Sequence, residues 1–168
     1  HTSNSACILA HPETQIDMVR EGIMLYGLYP ASQPTEGPLR PVMTLKSRVC
    51  QVRELPGGTS VSYGRTYTPR GPMTCAVVSA GYADGYPRRL SNQAWVCLEG
   101  RRCAQVGRVC MDMIMVDVTG GVVQRGDEVI LFGHGGMSLE EVAQRVGTIN
   151  YEIACLVTPR VRRVYLNG

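Results

Sequence analysis

Lysine, phenylalanine and tryptophan are nearly missing from this chain of 168 residues. Of its 17 basic side chains only Lys46 is a lysine, and phenylalanine and tryptophan occur once each, whereas tyrosine occurs eight times. No apolar run approaches the roughly 20 residues that a membrane-spanning helix needs. The arginines are scattered through a chain of net charge +3, whereas nucleic-acid-binding proteins concentrate basic residues on one face. The composition therefore argues against membrane insertion of this chain and against nucleic-acid binding.

The seven cysteines include no C-x-x-C pair, and zinc sites normally contain closely spaced ligand pairs, so we expect no metal site. Cys97 and Cys103 flank the turn at 99–101 and could face each other across a hairpin, which leaves a disulfide open as an alternative. Reduced thiols are favoured, because the chain shows no secretory signal and disulfides are rare in the cytoplasm. We therefore expect a cytoplasmic protein. Because the chain starts at His1 without a methionine, we also expect a fragment or a processed form.

The first 30 residues contain two short apolar runs separated by a predicted helical turn. The runs are S-A-C-I-L-A at 5–10 and G-I-M-L-Y-G-L-Y at 22–29, and Pro12 between them suits the first turn of a short helix. Strand, helix and strand in this order predict a parallel β-α-β unit. Such a unit is too small to be a domain, so we interpret it as the end of a larger α/β domain. The proline-rich segment from Pro30 to Pro41 is interpreted as a linker.

After the linker, strand-like runs alternate with turns rich in glycine and proline, which is typical of an antiparallel β-sandwich or barrel. Ser138 and Glu141 have the spacing of a capping box, and Gly147 is predicted to end the helix that they begin. The segment 149–157 is compatible with either a helix or a strand, and 161–166 is predicted as a strand. We therefore expect a mainly β fold with one well-signalled helix. The other predicted strands cover 43–54, 60–68, 73–80, 94–98, 103–109, 111–118 and 128–132.

Polar residues stand beside both N-terminal apolar runs, in N-S-A at 4–6 and in R-E-G-I-M-L-Y-G at 20–27. Taken alone, these are a polar strand end and a surface arginine before a turn. In an α/β barrel, however, phosphate groups bind at the carboxyl ends of the strands, where backbone N–H groups and hydroxyls donate to them. Ser5, Gly22 and Ile23 are candidate donors, since a glycine lets the backbone approach a phosphate closely.

Half of the eight tyrosines lie in two glycine-flanked segments, S-Y-G-R-T-Y at 62–67 and G-Y-A-D-G-Y-P-R at 81–88. Hairpin turns explain the glycines but not the tyrosines, whose hydroxyls suggest hydrogen bonding or proton transfer at a site. Two more segments, V-G-R-V-C-M-D-M at 106–113 and T-I-N-Y-E at 148–152, are by themselves typical of a core strand and a helix start.

Together and in this order, the six segments resemble the alanine racemase family, and the resemblance extends over essentially all 168 residues. Members of this family interconvert L- and D-alanine with pyridoxal 5'-phosphate bound to a lysine. The resemblance implies that residues 1–38 are the last piece of a truncated (β/α)8 barrel with its linker, and that residues 39–168 are the C-terminal antiparallel β domain. It also implies a homodimer that binds alanine and makes D-alanine for cell-wall peptidoglycan.

The resemblance assigns roles to individual residues. Tyr63 resembles the base that acts on the L-face of the substrate, and it would reach into the active site of the partner subunit. Met111 resembles the residue whose backbone contacts the substrate, with Asp112 beside it, and Tyr82 resembles a tyrosine at the active-site entrance. Arg20 resembles the residue facing the pyridine nitrogen, which an arginine leaves unprotonated because a guanidinium cannot accept its proton. The residues that resemble phosphate ligands are Ser5, Gly22, Ile23 and Tyr151.

The chain departs from the family in lacking the lysine that binds the cofactor and the arginine that binds the substrate carboxylate, both of which lie in the family's N-terminal barrel. Lys46 stands outside every motif and is predicted to be a solvated strand residue. We therefore expect this chain alone to be inactive. Two alternatives remain open, namely a serine racemase of the same family and a non-catalytic binding module built on the same β domain.

Overall fold

The computed structural model describes residues 2–30 and 37–166, and the middle of the predicted linker, 31–36, lies outside them. Their main feature is a closed barrel of six strands in the order β1-β2-β5-β4-β3-β6, in which each neighbouring pair is antiparallel. The prediction of a mainly β, antiparallel, barrel-like fold is therefore confirmed. The strands are β1 Leu45–Leu55, β2 Met73–Val78, β3 Trp95–Leu98, β4 Arg101–Val106, β5 Ile114–Asp117 and β6 Glu128–Phe132.

Aliphatic side chains fill the interior of the barrel. Successive residues of a strand point to opposite faces of the sheet, so one face of each strand points into this interior and the other points outward. In β6, Val129 and Leu131 are fully buried, whereas Glu128 is exposed. The chain's one phenylalanine, Phe132, ends this strand and is also buried. All three buried residues belong to a single apolar cluster that the helices of the C-terminal part share.

The helix α2, Leu139–Val146, has the predicted start and end. The Ser138 hydroxyl accepts a 3.0 Å hydrogen bond from the Glu141 N–H, and Gly147 ends the helix in the left-handed conformation that glycine adopts without strain. The Glu141 carboxylate does not close the capping box. It accepts hydrogen bonds from the Trp95 indole N–H at 3.1 Å and from Arg145 at 2.8 Å, and it thereby ties α2 to β3.

The prediction of a strand at 5–10 is wrong, because these residues form the helix α1, Ser5–Ala10. The Asn4 side chain caps this helix by accepting a 3.1 Å hydrogen bond from the Cys7 N–H. A parallel strand needs neighbouring strands for its N–H and C=O groups. Within residues 2–30 the structure provides one parallel bridge, from Asn4 to Arg20, which is too little to hold an extended strand.

The second predicted strand, at 22–29, is also wrong. Its middle forms a short 3₁₀ helix, Ile23–Tyr26, which Gly27 ends in the left-handed conformation. A Cβ on Gly27 would lie 1.7 Å from the Arg40 carbonyl oxygen, so the close approach of these two backbones requires a glycine. The helical turn predicted between the two runs is confirmed as the 3₁₀ helix Pro12–Thr14.

Two more predicted strands are wrong for different reasons. At 60–68 the backbone turns, since Ser62 and Arg65 have positive φ angles of 64° and 49°, which an extended strand excludes. At 161–166 the chain forms neither helix nor strand. The barrel is closed, so its strands offer no free edge with which this segment could pair.

The segment that the sequence left ambiguous forms the helix α3, Asn150–Leu156. The Asn150 side-chain amide donates to the Tyr29 carbonyl oxygen at 2.8 Å and to the Glu140 carboxylate at 3.0 Å. Ile23 is buried in the same apolar cluster as the barrel strands. The N-terminal segment is thus attached to the C-terminal part by packing and by hydrogen bonds. No helix in the described part of the chain is long and apolar enough to cross a membrane.

All seven cysteines are free thiols. In the β3–β4 hairpin Cys103 pairs with Val96, and Cys97 pairs with Arg102. The expectation that the two cysteines face each other directly is therefore wrong by one position of the register. Burial raises the pKa of the Cys103 thiol, which keeps it protonated and unreactive. Among the residues that the structure describes, no group of three or more potential ligands is arranged to hold a metal ion.

The closed core predicts a large difference between two aliphatic substitutions. Leu131 is 0% exposed and Val122 is 98% exposed. We expect Leu131→Ala to lower the free energy of unfolding by about 2–5 kcal/mol, because it leaves a cavity in the barrel. The control Val122→Ala should change it by less than about 0.5 kcal/mol. Urea denaturation followed by circular dichroism measures both values, and equal effects would contradict the proposed packing.

The contacts of Glu141 predict a pH dependence of stability. Partial burial raises the pKa of this carboxyl, but hydrogen bonds from Arg145 and Trp95 and the charges of Arg145 and Arg102 outweigh it, so that the pKa is lowered from 4.5. A carboxyl of this kind stabilises the fold above its unfolded-state pKa, and the stabilisation disappears as the pH falls through the folded-state pKa. Glu141→Gln should therefore flatten the loss of unfolding free energy below pH 4.5. Urea titrations at several acidic pH values measure this loss, and an equal loss in the unaltered chain and in Glu141→Gln would contradict the prediction.

Candidate functional site

The Ser5 hydroxyl and the Gly22 backbone form the start of one candidate site. Ser5 is the buried first residue of α1, and its Oγ accepts a 3.0 Å hydrogen bond from the Gly22 N–H. Because that bond uses only a lone pair of Oγ, the hydroxyl keeps its hydrogen for another acceptor. A Cβ on Gly22 would lie 3.7 Å from Oγ, so a side chain there would occupy the space beside the hydroxyl. The hydrogen of the Ser5 hydroxyl suits an anionic oxygen group such as phosphate, whereas the Gly22 N–H is already used by Ser5.

Arg20 and Ile23 flank this pair. The Arg20 N–H donates to the Ser3 carbonyl oxygen at 2.7 Å, and its guanidinium donates to the Thr2 carbonyl oxygen at 3.4 Å. Arg20 is an exposed residue. Ile23, in contrast, is buried in the apolar cluster and anchors the backbone that follows Gly22. The structure thus brings together four predicted cofactor-binding residues, which we call the N-terminal group: Ser5, Arg20, Gly22 and Ile23.

Tyr151, the fifth predicted cofactor-binding residue, is half-buried in the first turn of α3. It packs against the apolar cluster that contains Ile23. Its neighbour Asn150 donates to the carbonyl oxygen of Tyr29, which follows the 3₁₀ helix Ile23–Tyr26. These contacts attach the helix that carries Tyr151 to the segment that carries Ile23.

Tyr63 lies on a tight turn and is 75% exposed. The residues on either side of it, Ser62 and Arg65, have positive φ angles, which are uncommon for residues with a side chain, so the turn needs support from its neighbours. Ser62 gives that support at one end by donating from Oγ to the Arg108 carbonyl oxygen at 2.7 Å. The turn thus presents an exposed tyrosine on a backbone that is tied to the 106–113 segment.

Two polar residues that the sequence did not single out support the other end of this turn. Asn92 donates from Nδ2 to Thr66 Oγ1 at 3.2 Å, and its Oδ1 accepts from the Gly107 N–H at 2.5 Å. Gln105 is only 2% exposed and accepts from the Asn92 N–H at 2.9 Å. Buried polar side chains are normally hydrogen-bonded, and a glutamine inside the strand sequence C-A-Q-V is the one signal that could have drawn attention to this network.

Backbone hydrogen bonds hold the segment of Tyr82 against that of Met111. The Tyr82 N–H donates to the Cys110 carbonyl oxygen at 3.0 Å. The Ala83 N–H donates to the Met111 carbonyl oxygen, also at 3.0 Å. A Cβ on Gly81 would lie 2.3 Å from both of these oxygens, so this approach requires a glycine. Tyr82 and Met111 are both exposed.

Arg160 joins two carboxylates that lie beside these residues. Its Nε is 3.0 Å from Asp84 Oδ1, and a terminal guanidinium nitrogen is 2.6 Å from Asp112 Oδ1. The hydrogen bond to Asp112 and the charge of Asp84 raise the pKa of the Arg160 guanidinium. Asp84 also accepts a 2.8 Å hydrogen bond from the Gly81 N–H. The sequence did not point to Arg160, because it lies 48 residues after Asp112 in a segment without a motif.

Besides the N-terminal group and Tyr151 on α3, the contacts define a second group of predicted site residues. Ser62 Oγ is 3.5 Å from the sulfur of Cys110, so the Tyr63 turn meets the segment that precedes Met111. None of the contacts given above joins this second group to the N-terminal group. Lys46 belongs to neither, since it forms a 2.7 Å ion pair with Glu128 as a half-exposed residue of β1. We call the second set the loop group: Tyr63, Tyr82 and Met111.

Two protein families match the sequence. The family described as "Alanine racemase, C-terminal domain" matches residues 42–165, and the family described as "Alanine racemase, N-terminal domain" matches residues 1–30. The first match covers more than half of the chain.

Individual relatives and solved structures agree with these matches. The alanine racemase of Desulforamulus reducens is 51% identical over 170 residues, which cover 99% of this chain and 46% of the relative. The alanine racemase of Streptomyces lavendulae has a similar structure, with a TM-score of 0.92 and 39% identity over 99% of this chain and 45% of that one. A Clostridium difficile 630 alanine racemase in complex with cycloserine gives a TM-score of 0.89 and 44% identity over 95% of this chain and 43% of that one. The chain spans about half the length of the relatives that it matches.

The close approach at Gly81 predicts a destabilising substitution. Gly81→Ala would place a Cβ against two carbonyl oxygens, whereas a Cβ on Gly71 would meet nothing within 4 Å. We expect Gly81→Ala to lower the free energy of unfolding by about 1–3 kcal/mol and to speed hydrogen exchange at the Ala83 amide. The control Gly71→Ala should leave both unchanged. If the two variants behaved alike, the loops would not meet as described.

Proposed function

The chain belongs to the alanine racemase family, and on this premise we propose that it is the C-terminal part of an enzyme that interconverts L-alanine and D-alanine. Racemisation removes a proton from one face of the α-carbon and returns a proton on the opposite face, so it needs a base on each face. The observation that carries the proposal is Tyr63, an exposed hydroxyl-bearing side chain on a turn that is supported at both ends. We assign to it the base on the L-face.

Two parts of the enzyme meet in this chain. We assign residues 1–38 to the end of the (β/α)8 barrel with its linker, and residues 39–168 to the C-terminal β domain. The separate matches to 1–30 and 42–165 support this division. The burial of Ile23 in the apolar cluster of the strands means that the two parts pack against each other rather than behave as independent bodies.

Pyridoxal 5'-phosphate is the cofactor that family membership implies, and the Ser5 hydroxyl, which keeps its hydrogen for an acceptor, suits its phosphate. When bound, it supplies the electron sink for the pair left on the α-carbon after the proton departs. Arg20 would face the ring nitrogen. Lys46 is occupied by its ion pair with Glu128, so we assign the anchoring lysine to the N-terminal part of the longer protein. The residues that we propose as phosphate ligands are Ser5, Gly22, Ile23 and Tyr151.

We assign substrate binding and proton transfer to the loop group. Tyr63 exchanges a proton with the α-carbon, and a phenol acts as a base where positive charge or hydrogen bonds stabilise its anion. Arg108 brings positive charge to this turn, since its Nε is 3.9 Å from the point that a Cβ on Gly64 would occupy. Met111 offers its backbone to the substrate, and Tyr82 lines the entrance.

The exposure of Tyr63 supports a homodimer with composite active sites. Tyr63 is 75% exposed, and its contacts lead to the loop group rather than to the N-terminal group. A residue that reaches out from one subunit can complete the site of another, which a two-fold symmetric pair repeats twice. We therefore propose that each site combines the N-terminal group of one subunit with the loop group of its partner.

The relatives support alanine over serine as the substrate, since proteins 51%, 50% and 47% identical to this chain are named alanine racemases. The same names disfavour a non-catalytic binding module, the other alternative. D-alanine made by the enzyme would serve peptidoglycan synthesis, which takes its amino acids from the cytoplasm. We accordingly propose a cytoplasmic enzyme.

Replacing Tyr63 tests the proposed role directly. The experiment joins this chain to the N-terminal part of the Desulforamulus reducens relative, which supplies the missing half, and measures alanine racemisation by circular dichroism. Tyr63→Phe removes one hydroxyl and leaves the ring, so the fold should be kept. Because a general base typically contributes about 100- to 10,000-fold, we expect kcat to fall by that factor in both directions.

A matched tyrosine provides the control. Tyr165 is 87% exposed and lies outside both groups, so Tyr165→Phe should keep full activity. Near-normal racemisation by the Tyr63→Phe enzyme would end the assignment of Tyr63. Faster racemisation of serine than of alanine by the unaltered enzyme would instead overturn the proposed substrate.

A further inference from the structure

The ion pairs of Arg160 connect two loops that belong to different parts of the sequence. Asp84 follows Tyr82 in the loop after β2, and Asp112 follows Met111 in the loop before β5. The guanidinium contacts both carboxylates, at 3.0 Å and 2.6 Å. A planar guanidinium presents its donors in fixed directions, so it sets the separation of the two carboxylates and offsets one of their two negative charges.

The chain that carries Arg160 is itself attached to the loop after β2. The Thr158 hydroxyl donates to the Ala83 carbonyl oxygen at 2.8 Å. A Cβ on Gly85 would lie 2.5 Å from the Leu156 carbonyl oxygen, so the end of α3 and this loop are in close backbone contact. Arg160 therefore extends from a fixed backbone and can transmit that position to Asp112.

The exposure of these groups limits what Arg160 can do for overall stability. Arg160 and Asp112 are about half-exposed, and only the Asp84 side chain is mostly covered. Exposed ion pairs contribute little to the stability of a fold. The backbone hydrogen bonds of Tyr82 and Ala83 bring the two loops into contact. The ion pairs of Arg160 then restrict the position of Asp112 and of its neighbour Met111.

We propose that Arg160 is a positioning residue for substrate binding, which fixes the Met111 backbone relative to Tyr82 through Asp112 and Asp84. The inference rests on the proposed function, because it takes the Met111 backbone as a substrate contact. It predicts that losing the guanidinium loosens the loop before β5 and weakens substrate binding, while proton transfer by Tyr63 continues. Tyr63 is held by Ser62 and by the Asn92–Thr66 hydrogen bond, neither of which involves Arg160.

Hydrogen exchange on the 168-residue chain tests whether Arg160 holds the two loops together, and this measurement does not require enzymatic activity. In Arg160→Gln, the amides of Tyr82 and Ala83 should exchange about threefold faster, because their bonds to the 110–111 carbonyls open more often once the half-exposed ion pairs are lost. Arg162 is exposed and two residues away, so Arg162→Gln is a control with the same loss of charge and should exchange as the unaltered chain does. Equal exchange at the two amides in Arg160→Gln and Arg162→Gln would overturn the proposal.

Kinetics of the enzyme completed with the Desulforamulus reducens N-terminal part separate positioning from charge. Arg160→Gln should raise KM for alanine about tenfold with kcat changed less than about twofold. Arg160→Lys keeps the charge but not the fork that spans two carboxylates, so it should raise KM similarly. A normal KM in Arg160→Lys would show that the charge of residue 160 matters rather than its geometry, and this would overturn the positioning role. A fall of kcat at constant KM would also contradict the inference. If the unaltered enzyme did not racemise alanine, the proposed function would fail, and the exchange result alone would decide whether Arg160 holds the two loops together.

Discussion

Two backbone hydrogen bonds, from Tyr82 and Ala83 to the 110–111 carbonyls, hold the loop after β2 against the loop before β5. They form because residue 81 has no side chain. β2 and β5 are paired in the barrel, with Val78 opposite Ile114, so the sheet brings these loops near each other and the glycine lets them touch. The Tyr63 turn is attached to the same stretch of chain through Ser62, so all three members of the loop group meet along the 108–111 segment.

The two groups of candidate site residues are carried by different elements of the fold. The loop group is mounted on the closed barrel, whereas the N-terminal group is mounted on α1 and a 3₁₀ helix. The burial of Ile23 and the hydrogen bond from Asn150 to Tyr29 attach the N-terminal segment to the C-terminal part that contains the barrel. Each group is thus supported within one chain, and the proposed dimer needs only to bring two such supported surfaces together.

Local signals were enough to predict parts of this structure. Ser138 and Gly147 marked the ends of α2, because a cap and a left-handed glycine act within one turn of the chain. At 5–10 a six-residue apolar run fitted a strand as well as a helix, and the cap at Asn4 decided for the helix. Contacts between distant residues were not predictable, as Arg160 with its two carboxylates shows. The motifs supplied the candidate site residues, and the folded chain showed which of these candidates contact one another.

A subunit-complementation measurement tests the central claim, that Tyr63 completes the site of its partner. The completed enzyme is prepared as two inactive variants, one with Tyr63→Phe and one without the anchoring lysine of the N-terminal part, and the subunits are mixed and exchanged. If Tyr63 acts across the dimer, each heterodimer contains one site with both groups intact, and random mixing should give about a quarter of the normal activity. If the mixture were as inactive as its parents, Tyr63 would act within its own subunit or not at all, and the account would be contradicted.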